Sequence, residues 1–265
     1  MPIAFDHIAI ALDEIPVGLP FVVGELGGRY CGSGDEGSFL WRQYRFVGGG
    51  ILELLEPAGE PGGFLHRFLT ARGGGVHHVT FKIDNLVRRC ELAAELGFEV
   101  VGFDDTDARW QEAFLHPRGA GGIVVQLVSG PGDDSEKALQ EPPPNDPDPG
   151  PPVVSLVGLR MGCRDLATAR RLWCELLEGE ARPGAHPHVR WKGSPMRVSL
   201  IAGPVDVPLA VEVECLHPVL LPQGPHPVLR TEFEPVDPRH EDEPRHDLEP
   251  VEEDDGGDVY LLEEP

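Results

Sequence analysis

The chain has 265 residues, of which 22 are Lys or Arg and 45 are Asp or Glu, giving a formal net charge of -23. Such a surplus of negative charge repels nucleic acid and anionic lipid, so we expect neither nucleic acid nor a membrane as a partner. No stretch approaches the ~20 apolar residues of a membrane-spanning helix. Five scattered cysteines without a C-x-x-C pair favour a reducing, cytoplasmic location.

Residues 1–129 contain an internal repeat. The strand-like residues 5–10 return 71 positions later at 76–81, and the turn at 26–32 returns 70 positions later. The strand at 49–54 returns 72 to 73 positions later. Three anchors in one order at nearly one spacing indicate a duplication. The alternating apolar residues of each copy predict a βαβββ unit.

The helices of the two copies differ in quality. In the first copy, Pro16, Gly18 and Pro20 interrupt the expected helix at 15–26, which predicts a late or broken helix. In the second copy the helix at 85–96 ends at Gly97, as helices that close on a glycine do. A short connecting helix is expected at 63–72.

Three further segments follow the repeat. Residues 130–152 are Pro-rich and are expected to form a linker that is stiffened toward polyproline II and too polar to pack. Residues 153–216 predict a third, degenerate βαβββ-like module, with Leu159 standing where the first two copies have a histidine. Residues 217–265 are Pro-rich and then acidic, with 15 acidic and 2 basic side chains from residue 231 onward. We expect this tail to be largely disordered.

Each copy places one imidazole and one oxygen ligand on its strands. His7 and Glu53 lie 46 residues apart, and His78 and Gln126 lie 48 apart, so only a folded sheet can unite the four. Two histidines, one carboxylate and one amide oxygen suit a divalent ion such as Co, Ni, Zn, Fe or Mn. We therefore predict a metal centre on the concave side of a curved sheet.

Several segments carry a resemblance to a known family: residues 51–57, 63–69, 75–81 and 114–118 followed by a Gly pair. Over residues 3–129 the chain resembles the vicinal oxygen chelate superfamily, and within it the methylmalonyl-CoA epimerases. The resemblance implies an α+β fold, in which paired βαβββ modules form a curved mixed sheet around a metal cleft. It also implies that His7, Glu53 and His78 are metal ligands, with His78 rather than His77 as the second imidazole.

The resemblance has consequences for proton transfer. In the epimerases the position of Gln126 typically holds Glu, which is also thought to act as a base, and Glu36 lies near the position of the other base. Gln126 has no titratable form in the working range. Epimerisation by two bases needs one on each face of the carbanion, and the sequence offers Glu36 with no certain second base. Glu36 or Glu53 is therefore expected to act as the base of a one-base isomerisation, with a metal-bound hydroxide as the alternative.

Other residues carry weaker signals. Trp110 and Phe114 are candidates for lining a substrate cavity, and core packing explains them equally well. Arg118 is a candidate contact for a phosphate or carboxylate, and an exposed turn arginine is the alternative. His77 is expected to be exposed.

The resulting hypothesis is a metal-dependent isomerase or lyase, epimerase-like or glyoxalase-like, that stabilises an enolate from a small carbonyl or acyl-thioester substrate. One alternative is a binding protein of the same fold that sequesters a small ligand without turnover. A further alternative is an Fe(II) extradiol-type dioxygenase. An unpaired module leaves a sheet edge that invites a second copy, so a homodimer is one expected assembly.

Overall fold

A computed structural model describes residues 2–130, 139–183 and 187–237. Within these residues, the strands are β1 (Ala4–Ala11), β2 (Arg29–Asp35), β3 (Phe39–Arg45), β4 (Ile51–Pro57), β5 (Gly75–Lys82), β6 (Val100–Asp107), β7 (Trp110–Leu115), β8 (Val124–Ser129), β9 (Val154–Cys163), β10 (Glu180–Arg182), β11 (His188–Arg190), β12 (Arg197–Ala202), β13 (Val207–Cys215) and β14 (Glu232–Pro235). The α-helices are α1 (Ile15–Leu19), α2 (Phe64–Arg72), α3 (Leu86–Glu95) and α4 (Leu166–Arg170), and π-helices follow α1 at Pro20–Glu25 and α4 at Arg171–Leu176.

The first sheet has eight strands in the order β2-β3-β4-β1-β5-β8-β7-β6. Strand β1 pairs parallel with β4 and antiparallel with β5, which pairs parallel with β8. The sheet therefore consists of two βαβββ units that meet at β1 and β5. This confirms the predicted α+β fold with paired βαβββ modules.

The first helix is interrupted where the prolines stand. Helix α1 ends at Leu19 and continues as a π-helix over Pro20–Glu25. Pro20 has no amide hydrogen to donate to the α-helical ladder. A π-helix also follows α4, at Arg171–Leu176, where no proline stands, so the π-helical turn belongs to the module and does not depend on the proline.

The second sheet has six strands in the order β10-β11-β12-β9-β13-β14 and repeats the pairing of the first. Strand β9 pairs parallel with β12 and antiparallel with β13, which pairs parallel with β14. The third βαβββ unit therefore closes at β12. Strand β13, assigned to that unit from the sequence, instead takes the place of β5, and β14 takes the place of β8. The two strands form a shortened fourth half.

The two sheets share one hydrophobic core. Phe5 and Phe81 of the first sheet stack at 4.8 Å between ring centroids. Trp191, from the second half of the chain, lies 4.7 Å from Phe81 and 6.3 Å from Trp173. Because strand side chains alternate between faces, the residues between these core positions point to the opposite face of each sheet.

The described part of the Pro-rich segment, residues 139–152, is anchored to the first module by polar contacts, which differs from the expectation of a linker too polar to pack. The side chain of Asp146 is buried, and its carboxylate accepts hydrogen bonds from Arg42 at 2.5 Å and from Tyr44 at 3.0 Å. The backbone N–H of Gly150 donates to the carbonyl of Val23 at 3.2 Å. Polar partners on β3 thus fix a segment that offers little apolar surface of its own.

The start of the tail also differs from the expected disorder. Leu229 and Phe233 are buried, and Phe233 contacts the ring of Phe21 at 5.0 Å. The expected acidic tail from residue 238 onward lies outside the described residues. Within the part of the chain that the structure describes, no helix has the length and apolar character to cross a membrane.

Candidate metal centre

The four predicted ligands lie on four adjacent central strands, β4, β1, β5 and β8. On β1 the core-facing residues are Ile8 and Ile10, so His7 points to the outer face of the sheet. His7, Glu53, His78 and Gln126 are all buried, each with at most 8 % of its surface exposed. The sheet therefore gathers four polar side chains in one enclosed place.

Three of these residues converge on a common point. The Nε2 atoms of His7 and His78 lie 3.5 Å and 3.7 Å from the same carboxylate oxygen, Oε1 of Glu53. One potential ligand atom from each residue lies within 4.8 Å of the others. The side chains are distant in sequence and share one site in the fold.

Gln126 lies beside this group and is linked to it through a threonine. The Thr80 hydroxyl donates to Oε1 of Gln126 at 2.6 Å and lies 2.9 Å from Nε2 of His7. The amide nitrogen of Gln126 donates to Oε2 of Glu112 at 2.8 Å. The predicted fourth ligand is thus present at the edge of the group.

Each of the three converging residues has a partner that fixes its orientation. Asp6 accepts a 2.6 Å hydrogen bond from Nδ1 of His7, and Gln43 donates a 2.6 Å bond to Oε2 of Glu53. Nδ1 of His78 lies 3.0 Å from Nδ1 of His77. With both Nδ1 atoms engaged, the Nε2 atoms face the carboxylate. Such outer contacts set ring orientation in protein metal sites.

The pKa values of the two imidazoles are shifted in opposite directions. Burial disfavours the charged form of His7, but Glu53 and Asp6 outweigh it and raise its pKa to about 9. Burial, together with the neighbouring His77 and His7, holds the pKa of His78 well below its usual value. Burial also lowers the pKa of His77 to about 4.

The donor set fits a divalent ion. Nε2 of His78 is buried and has no hydrogen-bond partner in the described parts of the chain. An unsatisfied buried nitrogen costs about 1–3 kcal/mol, and a cation bound there would satisfy it. Two imidazoles and one carboxylate are ligands of Zn, Fe, Co, Ni and Mn sites.

Helix α2 covers one end of the site. His77 is half-buried rather than exposed, because its ring packs against Phe64 and Phe68 at 5.5 Å and 4.9 Å between centroids. Leu65 joins Leu55 in a small apolar cluster on this outer face. The site therefore has an apolar wall next to its polar centre.

The predicted base Glu36 lies outside the converging group. It occupies the exposed turn between β2 and β3, where Oε1 accepts a 3.1 Å hydrogen bond from Nε1 of Trp41. Within the described residues no hydrogen bond or ion pair joins Glu36 to His7, Glu53 or His78.

The predicted substrate-binding residues divide into two locations. Phe114 of β7 pairs with Gln126 of β8. Trp110 lies on the same face of β7 and is 49 % exposed. Arg118 is exposed on a turn beside a cavity of about 270 Å³ that is also lined by Met161 and Trp173. Met161 and Trp173 belong to the hydrophobic core between the sheets. Because Arg118 lies beside this core, the structure does not bring it to the metal centre.

Sequence reasoning missed Gln43, Thr80 and Glu112. Gln43 and Thr80 are cross-strand neighbours of Glu53 and His7, and Glu112 reaches Gln126 from the adjacent strand β7. Only the strand register reveals these contacts, so no local sequence signal marks them.

Comparisons with known proteins address the fold. No protein-family model matches the chain. It is 29 % identical over 133 residues to the uncharacterized protein YqjC of Bacillus subtilis, which covers 48 % of this chain and 93 % of that protein. The crystal structure of a hypothetical protein from Staphylococcus aureus matches 89 % of this chain and 100 % of its own, with a TM-score of 0.58 at 14 % identity.

A methylmalonyl-CoA epimerase from Mycobacterium tuberculosis also matches, over 49 % of this chain and 89 % of its own, with a TM-score of 0.44 at 22 % identity. The match to the Staphylococcus aureus structure covers both sheets of this chain. The paired modules have the strand pairing that the resemblance implies. The chain thus shares the overall fold of the Staphylococcus aureus protein.

Proposed function

We propose that the protein is a metal-dependent isomerase or lyase that forms an enolate from a carbonyl compound. The observation that carries the proposal is the convergence of His7, Glu53 and His78, with Nε2 of His78 buried and unsatisfied. A structural cluster of this size would be expected to pair all of its buried nitrogens, because unpaired polar groups are costly.

The proposed ligands are His7, Glu53 and His78, with Gln126 as a fourth. A divalent ion held there supplies a Lewis acid that stabilises negative charge on a carbonyl oxygen of the substrate. The chain's own residues orient the site: Asp6 fixes the ring of His7, and Gln43 fixes the carboxylate of Glu53. Such positioning keeps the charged groups preorganised for the transition state.

The proposed base is Glu36 or Glu53, acting on the carbon next to the carbonyl. Oε2 of Glu53 is engaged by Gln43, and Oε1 faces both imidazoles, which favours a ligand role for Glu53. Glu36 lies in the exposed turn between β2 and β3, where its carboxylate accepts a hydrogen bond from Trp41 and makes no contact with the proposed ligands within the described residues. Glu36 is therefore the better candidate for the base that accepts the proton.

The proposed substrates are acyl thioesters and ketoaldehyde adducts that carry two neighbouring oxygens. The epimerases that the chain resembles are named for such a thioester, methylmalonyl-CoA. The apolar wall formed by α2 beside the polar centre suits a compound with a hydrocarbon portion next to its carbonyl.

The test begins with the metal content of protein purified without chelator, followed by deuterium exchange and turnover with both substrate classes. We expect a divalent metal near one per chain, and loss of both metal and turnover in His78→Ala. His116→Ala, which alters a half-exposed histidine on a turn, is the matched control and should keep both. Protein that takes up no metal even when it is added contradicts the proposal. Ligand binding with metal but without turnover favours the sequestering alternative.

A further inference from the structure

We propose that a cavity where the two sheets meet binds a small carboxylate that has an apolar body. This cavity, the junction cavity, has a volume of about 270 Å³ and lies between the second βαβββ unit and the third. None of its lining residues belongs to the candidate metal centre, so this binding function goes beyond the proposed enolate chemistry.

The floor of the junction cavity is apolar. It consists of Phe98 from the second unit and Met161, Leu172 and Trp173 from the third, and all four are buried. Packed protein interiors leave few voids larger than a water molecule. Because a water molecule takes about 30 Å³ of the liquid, the junction cavity has room for a compound of roughly ten non-hydrogen atoms. An apolar lining with a few polar groups is typical of pockets that bind small molecules.

The mouth of the junction cavity is positively charged. Its exposed or half-buried charged residues are three arginines and two aspartates: Arg118, Arg164, Arg171, Asp165 and Asp206. The mouth therefore has one positive charge in excess, although the whole chain has a formal net charge of -23. Because binding sites complement the charge of their ligands, a single excess charge suits a carboxylate better than a doubly charged phosphate.

The two aspartates of the mouth are already engaged by neighbouring groups. Asp165 accepts hydrogen bonds from the backbone N–H of Ala167 at 2.9 Å and from the Thr168 hydroxyl at 2.6 Å. Asp206 accepts a 2.8 Å hydrogen bond from the backbone N–H of Arg164, and its other oxygen lies 3.4 Å from the guanidinium of the same residue. Arg164 is thus paired with Asp206, and neither aspartate pairs with the other two arginines within the described chain.

Arg118 and Arg171 are therefore available for a ligand. Arg171 donates a 2.9 Å hydrogen bond to the Thr168 hydroxyl and forms no ion pair among the residues that the structure describes. The side chain of Arg118 forms neither a hydrogen bond nor an ion pair within residues 2–130, 139–183 and 187–237. A guanidinium can donate two parallel hydrogen bonds to a carboxylate. Because Arg118 belongs to the second unit and Arg171 to the third, a carboxylate at the mouth has a donor from each unit.

The backbone that carries Arg118 is held in place. The N–H of Gly122 donates to the carbonyl of Pro117 at 2.9 Å and closes the turn around Arg118. Gly122 has a φ of +79°, and a Cβ atom there would overlap the carbonyl oxygen of Asp206 in the third unit. The two units thus touch at Gly122, beside the cavity that they enclose. A mouth fixed in this way reduces the ordering that a ligand must impose on binding.

The experiment measures the binding of phenylacetate to the full, chelator-treated chain by isothermal titration calorimetry. Phenylacetate has a single carboxylate on an aromatic body and is of the size that the junction cavity admits. We expect one phenylacetate per chain. Phenylacetamide, which is uncharged and has the same shape, should bind at least ~10-fold more weakly, because hydrogen bonds to charged groups are the stronger ones. Acetate should also bind at least ~10-fold more weakly, because it lacks the apolar body.

Three variants test where phenylacetate binds. Arg118→Gln and Arg171→Gln should each lower its affinity at least ~5-fold, because each removes one charged donor. Arg170→Gln removes the same charge from an exposed position that does not line the cavity, and as the matched control it should leave the affinity unchanged. Ala169→Leu fills part of the cavity from a buried lining position and should abolish binding. If Ala169→Leu folds poorly, the two arginine variants still decide the question.

Unchanged affinity in both Arg118→Gln and Arg171→Gln would overturn the proposal, and so would the absence of binding at the highest soluble concentration of phenylacetate. Because a metal ion also binds carboxylates, His78→Ala is compared as well and should bind phenylacetate as the unaltered protein does. Loss of binding in His78→Ala, with full binding in Arg118→Gln, would place the carboxylate at the metal centre. That result would overturn the junction site and leave the proposed function standing.

Discussion

The outer faces of the two sheets have the same strand arrangement but differ in how their buried polar side chains are paired. On the first sheet the central strands carry His7, Glu53 and His78, and Nε2 of His78 has no hydrogen-bond partner among the described residues. On the second sheet the corresponding strands carry Arg160, Arg197 and Glu212, all joined by ion pairs.

On the second sheet, Arg160, Arg197 and Glu212 form what we call the second network. The carboxylate of Glu212 is fully buried, and both of its oxygens accept hydrogen bonds. Oε1 of Glu212 accepts from Arg160 at 3.0 Å, while Oε2 accepts from Arg197 at 2.9 Å and from the Ser199 hydroxyl at 2.8 Å. Arg160 also pairs with Glu234 of β14. A face that satisfies itself has no need of a ligand, whereas the first face holds a donor set that a cation would complete. The two sheets thus share one scaffold, and within the described residues only the first has a buried donor set with an unsatisfied nitrogen at its centre.

The largest expected effect comes from breaking the second network. Glu212→Ala leaves two guanidinium groups in a buried place without their shared carboxylate, and removing one partner of a buried ion pair costs about 3–5 kcal/mol. We expect a loss of this size in the free energy of unfolding, measured by urea denaturation. Metal content of the first sheet should not change.

Glu214→Ala is the control for this experiment, because Glu214 is half-buried on the same strand and its side chain forms no ion pair or hydrogen bond within the described chain. We expect it to cost less than about 1 kcal/mol, as for weakly coupled surface charges. Equal losses in the two variants would show that the network does not hold the second sheet together.

The contrast between the faces also shows what sequence could and could not reveal. The duplicated anchors of residues 1–129 sufficed to predict both βαβββ units and the strands that carry His7, Glu53, His78 and Gln126. A shared register position is a property of the repeat, and the repeat is visible in the sequence. The fold and the convergence of three side chains were therefore within reach.

The parts that escaped prediction depend on pairing between distant segments. Strand β14 follows a Pro-rich stretch with little alternation, and only its parallel pairing with β13 defines it. Asp146 reads as a residue of a polar linker until Arg42, 104 positions earlier, is seen beside it. Glu112 is one of 45 acidic residues, and only the register between β7 and β8 places it next to Gln126.

Metal addition should sharpen the comparison by stabilising only the first face. A ligand that binds the folded state alone adds about 2.7 kcal/mol to stability at a free concentration of 100 times its dissociation constant. We expect a gain of this size in the unfolding free energy of chelator-treated protein on titration with a divalent metal. Glu234→Gln, in the second network, should show the same gain, and His78→Ala should show none. A gain in His78→Ala equal to that of the unaltered protein would place the stabilising ion elsewhere.

The smallest expected effect concerns the orientation of a single ligand. Asp6 holds Nδ1 of His7 at 2.6 Å, and loss of such an outer partner lowers metal affinity about 10- to 100-fold, or about 1.4–2.7 kcal/mol. Asp6→Asn should therefore weaken metal binding by that factor, as measured by competition with a chromogenic chelator. Asp13→Asn removes an exposed carboxylate just beyond the same strand and should leave the affinity unchanged. Because both substitutions remove one negative charge, equal affinities in the two variants would mean that the Asp6 contact does not orient His7 for binding.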